Sequence, residues 1–153
     1  MTVANLLLTA CSGFLLAVLW MDLIFDAQVL AHRGTGGNLP DDVLASIAGY
    51  YRRAVVESRP MSRLIPLVML VLLTALAFRV TRGQDPTWRI AASIALAVTP
   101  MLLALTRTVS HAARLGGRSG SQADQSALAR SILRDHLVCA GCVLTFLIVW
   151  LMA

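Results

Sequence analysis

The chain has 153 residues, 58% of them hydrophobic and only 14% charged, with a net charge of +5 and a mean hydropathy of +0.74. At this length and composition it is one domain, with no room for a separate soluble module. In a soluble protein a pI near 10.1 would suggest nucleic acid. In a chain this apolar it fits basic loops beside anionic lipid instead, so no nucleic-acid partner is expected.

Four apolar runs, over 3–25, 61–78, 90–106 and 137–153, dominate the sequence. Each has the roughly 17–25 residues that an α-helix needs to cross a hydrocarbon core. Backbone groups in lipid must satisfy their own hydrogen bonds, so each run is expected to be a transmembrane helix. The fold class that follows is all-α: a polytopic bundle of four transmembrane helices forming a single integral-membrane domain.

The first run contains Leu8-Thr9-Ala10-Cys11, which has the form of a lipoprotein cleavage box. No basic residue precedes it and the apolar stretch before Cys11 is too short for a signal segment, so Cys11 reads as a buried helix residue. Asp22 and Asp26 stand one turn apart where the run ends. Residues 32–38 then read as a flexible turn whose glycines lack the Gly-Lys-Ser/Thr ending of a phosphate-binding loop. Asn38 is the expected cap of a further helix, with Asp41 and Asp42 in its first turn. Val43, Leu44, Ile47, Tyr51, Ala54 and Val55 recur at helical spacing, which predicts an amphipathic helix on the inner leaflet or against the bundle.

Pro60 marks a break or the first turn of the second span, and Pro66 and Pro100 are candidate kinks in the second and third. The third helix is predicted to run over 87–115, with Gly116-Gly117 as a left-handed stop. Ser121 to Asp124 has the form of a capping box opening the fourth helix, and the short connection makes the third and fourth helices antiparallel neighbours. Close helix approach in lipid relies on small residues. Gly13 with Ala17, Ala91 with Ala95, Ser93 with Ala97, and the stretch from Cys139 to Cys142 are the candidates.

Arginine supplies all thirteen basic residues, a bias that a GC-rich genome explains without any functional role. Ten fall in the first and third connections and three (Arg79, Arg82, Arg89) in the second. Cytoplasmic loops retain positive charge, so the first and third connections should be cytoplasmic, the amphipathic helix with them, and both termini outside. The expected location is the cell inner (plasma) membrane. Trp88 and Trp150 are read as anchors at the outer interface and Trp20 as one at the inner.

The residues that could carry chemistry gather at the cytoplasmic end. His136 and His111 are candidate acid–base groups together with Asp22, the carboxylate most enclosed by apolar neighbours. Asp26, Arg107, Arg114 and Arg134 are candidates for holding a ligand. The alternative is ion pairing that locks helix ends, Asp22 or Asp26 with Arg107 and Asp135 with Arg114, while Arg63, Arg107 and Arg134 snorkel to headgroups. His111 and His136 could also bind a metal together with Asp22 and Asp26, but the spacing matches no known ligand signature and no metal is assigned. Cys139-x-x-Cys142 resembles the motif of membrane thiol oxidoreductases. It lies inside a continuous helix, no second cysteine pair stands in a loop to relay electrons, and packing is the expected role.

Trp88-Arg89-Ile90-Ala91-Ala92, Thr108 to Gly116 and Ile132-Leu133-Arg134-Asp135-His136 together resemble the layout of the small four-helix membrane proteins related to anthrone oxygenases. The likeness is one of pattern. It covers an acidic end to the first helix, a polar segment, a Trp opening the third helix and a His opening the fourth. It implies a cofactor-free oxygenase acting on a polycyclic aromatic, with His136 and His111 as candidate bases; the residues themselves specify no cofactor. Asp22 and Asp26 stand where that family usually carries proline. The expected partners are the lipid bilayer and a hydrophobic small molecule. A transporter would need more than one four-helix bundle, hence a homo-oligomer. A non-catalytic accessory or lipid-binding subunit is the other class left open.

Overall fold

The computed structural model describes residues 2–32 and 37–152, so Arg33 to Gly36 of the expected turn lie outside the described residues. Among the described residues the regular structure is all helical, with no strand. It comprises α1 (Val3–Asp26), α2 (Asp41–Tyr51), α3 (Arg59–Arg82), α4 (Thr87–Leu103), α5 (Val109–Gly116) and α6 (Gln122–Leu151). A 3-10 segment, Ala27–His32, extends α1; π-helical turns, Arg52–Glu57 and Ala104–Thr108, follow α2 and join α4 to α5. Four stretches are long and apolar enough to cross a membrane. The protein itself buries only 6–39% of their most apolar windows, so the remaining apolar surface requires lipid.

The spans sit around a central pair. α1 and α6 pack along each other, α3 leans on α1 and α4 on α6, while α3 and α4 scarcely touch. The core is divided between the two ends. At the arginine-rich end, Leu39, Leu44, Ile47, Tyr51, Leu115 and Ile132 form one cluster. At the end holding the termini, Leu8, Leu72, Leu76, Phe146 and Trp150 form the other.

Local chemistry sets the boundaries. Ser121 and Asp124 form the expected reciprocal capping box, and α6 runs unbroken for 30 residues from it. Asn38 does not cap α2, whose N-cap is Pro40 with no side-chain bond. The residues before it are held by α6 instead: Ser126 Oγ accepts from Leu39 N at 2.9 Å and Gln122 Nε2 donates to Leu39 O at 3.0 Å. α2 therefore lies against the bundle, with Leu44, Ile47, Ala48 and Tyr51 buried. Gly117 is right-handed (φ −78°), and the positive-φ positions of this connection are Arg118 and Gly120, so the left-handed stop falls one residue later than expected, on an arginine.

Small residues act at fewer contacts than expected. Ser93 is fully buried and Ala97 packs against the terminal cluster. Ala17, Ala91, Ala95 and Gly141 are exposed, and nothing approaches Gly13 or Gly141. The inward face of α1 is Ala4, Leu8, Cys11 and Ser12 instead. Trp150 is not an interfacial anchor: it is buried, donates Nε1 to Ser93 Oγ at 3.0 Å, and lies 5.4 Å beneath the Arg79 guanidinium. Trp20 and Trp88 are exposed as anchors would be.

Gly116 is the closest approach. A Cβ there would stand 2.9 Å from Arg52 N and 3.2 Å from the Tyr51 carbonyl carbon, which belong to backbone that cannot step aside. Gly116→Ala should therefore destabilise the protein by about 1–3 kcal/mol through overpacking. Gly141→Ala, in open space, should leave stability unchanged or raise it by about 0.5–1 kcal/mol. Thermal unfolding in detergent checks both; equal melting of the two variants would contradict the contact.

Candidate functional site

Asp22 and Asp26 lie on one face of the last turns of α1, and two tyrosines and a histidine close on them from other elements. The apolar stripe of α2 brings its last turn against α1, where Tyr50 stacks on Phe25 with centroids 4.2 Å apart and planes at 11°. That stacking aims the Tyr50 hydroxyl at Asp22, to which it donates at 2.7 Å. Tyr51 points into the core and donates to Asp26 Oδ1 at 2.6 Å. His136, on the buried face of α6, sets Nδ1 2.7 Å from Asp26 Oδ2 and Nε2 3.9 Å from Asp22 Oδ2.

The depth of these groups separates their roles. Asp26 is fully buried. Asp22, Tyr50, Tyr51 and His136 line a cavity of about 620 Å³, which Asp26 does not reach, a size within the range of small-molecule sites. The Asp26 Oδ2 contact favours the His136 tautomer with its proton on Nδ1, and Nε2 then has Asp22 as its near neighbour at 3.9 Å. Burial pushes the Tyr50 and Tyr51 phenols well above their ordinary range, and the carboxylates they bond push the same way. Both hydroxyls therefore remain donors. The rest of the wall is apolar apart from Arg53, Ser58 and Thr108, with Cys139 one turn beyond His136.

Two irregular turns shape this wall. The π-helical residues Arg53, Ala54 and Val55 cover it from beyond α2, and Ala104 and Thr108 from beyond α4. The second π turn starts four residues after Pro100, which lacks an amide donor inside α4. Thr108 Oγ1 bonds Leu103 O at 3.1 Å across that turn and Asp135 Oδ2 at 3.2 Å.

The other expected residues lie elsewhere. Arg107 pairs with Asp135 rather than with Asp22 or Asp26, and Asp135 does not pair with Arg114. Arg114 and Arg134 are exposed, and neither they nor Arg107 line the cavity. His111 is half-buried on α5, away from the cavity lining, its Nδ1 without a hydrogen-bond partner among the described residues. Tyr50, Tyr51 and Thr108 are the site residues that sequence reasoning missed. Tyr51 was legible only as part of an apolar stripe. The available signal was that both tyrosines of the chain are adjacent, at the end of an amphipathic helix. Among the described residues no three His, Cys, Asp or Glu side chains are disposed to hold a metal ion. Hydroxyls at mid-span are occupied within the bundle: Thr74, Thr99 and Thr145 bond carbonyls of their own helices, and Ser93 accepts from Trp150.

Compared with protein-family models, curated proteins and solved structures, the chain finds no match.

Because these are the only two tyrosines, phenol absorbance reads the site alone. A folded-state value raised above the unfolded one makes a contribution to stability that is full below pH about 10 and is lost as the pH rises beyond it. Folded protein in detergent should show no tyrosinate band at pH about 10, and the band should appear together with loss of helicity. Half-complete ionisation at that pH with helicity intact would contradict the buried geometry.

Proposed function

We propose that this is a multi-pass protein of the cell inner (plasma) membrane, with both termini outside, and that it acts as an oxygenase-like enzyme on a hydrophobic aromatic substrate. The observation that carries this reading is the Asp26–His136 pair set behind the wall of a largely apolar cavity. A buried carboxylate on Nδ1 fixes the tautomer and stabilises the imidazolium, which makes Nε2 a competent general base. Asp22 and Tyr50 stand beside it to hold a substrate hydroxyl.

Base removal of a proton from an activated methylene gives a carbanion that dioxygen can oxidise directly. The methylene becomes a carbonyl, one oxygen atom enters the product and the other leaves as water. No cofactor is required, in keeping with the anthrone-oxygenase-like layout of the chain. His136 is the base, Asp26 a positioning residue and Asp22 a binding group; His111 has no part in this reading. The arginine asymmetry supports placing the site at the cytoplasmic end.

Oxygen uptake with an anthrone as substrate tests the chemistry. His136→Gln should lose about 10²–10⁴-fold in turnover, the usual contribution of a positioned base. Asp26→Asn should lose turnover with little change in KM. Wild-type uptake unmatched by any loss in His136→Gln would overturn the base assignment. A second reading, ligand binding without turnover, is favoured by the predominantly apolar wall and would show as a co-purifying hydrophobic molecule with no oxygen uptake. For the topology, a reporter fused to the C-terminus should be active outside the cell, and a cytosolic reporter would reverse the orientation.

A further inference from the structure

The cavity is polar at one end only. Beyond His136 and Asp22 its walls are Leu15 and Val18 of α1, Met69 of α3, Pro100 of α4 and Val143 of α6. A second void, of about 30 Å³, shares Leu15, Met69, Pro100 and Val143 with the first and continues to Leu72, Leu96 and Phe146. Its one polar neighbour, Ser12, donates to Leu8 O at 2.7 Å and is spent within its own helix, so the void is a dry apolar slot. Along α6 the path from position 136 to position 146 covers about 15 Å at the rise of an α-helix. α1 and α6 form its closely packed floor, and α3 and α4, which scarcely touch each other, form its sides.

A compact ring system seated at His136 would leave this seam empty. Apolar space without polar partners excludes water, so the occupant that suits a gap between two loosely paired membrane helices is hydrocarbon. We propose that the ligand is a membrane-borne amphiphile: a phenolic head held at His136 and Asp22, and an apolar tail lying along the seam between α3 and α4 towards Phe146. The head assignment rests on the reading of His136 given above; the tail assignment rests on the seam alone. Such a molecule reaches the site sideways from the bilayer without leaving it.

Photolabelling of the protein in phosphatidylcholine nanodiscs tests this, with para-dodecylphenol carrying a diazirine at the tail terminus. Mass-spectrometric mapping should find adducts on Leu72, Leu73, Leu96 and Phe146, reduced about tenfold by a tenfold excess of unlabelled para-dodecylphenol, as mass action requires. Ala97→Phe, which fills the seam, should abolish those adducts while a tail-less phenol diazirine still labels the polar end; that labelling also reports that the variant is folded. Adducts confined to the outward-facing Leu67, Leu70, Leu105 and Ile148, undiminished by competitor, would overturn the tail assignment. The two proposals fail separately. Seam adducts with His136→Gln turnover intact would remove the base and leave the tail seat. Outward adducts with His136-dependent turnover would remove the tail seat and leave the base.

Discussion

Two carboxylates buried at the end of an apolar bundle are the constraint on which this structure turns. Asp26 is fully enclosed and Asp22 is partly buried at the cavity wall, and an unpaired charge in an enclosed place costs several kcal/mol or more. Neither can be relieved by α1 itself. Partners have to come from elsewhere, and they do: an imidazole from α6 and two phenols from α2. Satisfying the two acids thus fixes the register of α6 against α1 and docks α2 beneath both. Packing then holds α2 in place, with Leu39, Leu44 and Ile47 wholly buried and Gly116 allowing α5 to touch the backbone that carries Tyr51.

The opposite end is closed by different chemistry. Arg79 grips Asp85 through two hydrogen bonds, at 2.6 and 2.8 Å, Arg89 approaches the same carboxylate at 3.4 Å, and Arg79 lies over the Trp150 ring. This cluster joins the α3–α4 turn to the last turn of α6. Its acid, Asp85, is held between two guanidinium groups. At the arginine-rich end the imidazole has one nitrogen bonded to Asp26 and the other 3.9 Å from Asp22, and His136 and Asp22 both line a cavity. That asymmetry, one end locked and one end open, is why the proposed function rests on the His136 end.

Rigidity is distributed accordingly. The residues that would do chemistry stand on α1 and α6, the two helices most closely packed together. The side through which a hydrophobic ligand would pass is made by α3 and α4, which lean on the central pair but hardly on each other. π-helical turns, which often mark functional sites in otherwise regular helices, occur at the two points where the chain bends around the cavity.

Much of this was legible in the residues themselves. Runs long enough to span a bilayer and a capping box at Ser121 are local properties, set by side-chain hydrophobicity and by hydrogen bonds between residues three apart, and they hold in the structure. So is the amphipathic stripe that buries Leu44, Ile47 and Tyr51. Asp22 and His136 stood out because ionisable groups are costly beside apolar runs. What no local rule contains is which charge meets which. His136 lies 110 positions from Asp26, Arg107 meets Asp135 and leaves Asp26 to the histidine, and His111, on an equally polar stretch, does not line the cavity. Tyr51 looked like one more apolar residue until its hydroxyl found Asp26. Hydrophobic pattern determines what enters the membrane; partner choice among the polar groups depends on the rotation and offset of one helix against another, and only the packed structure decides that.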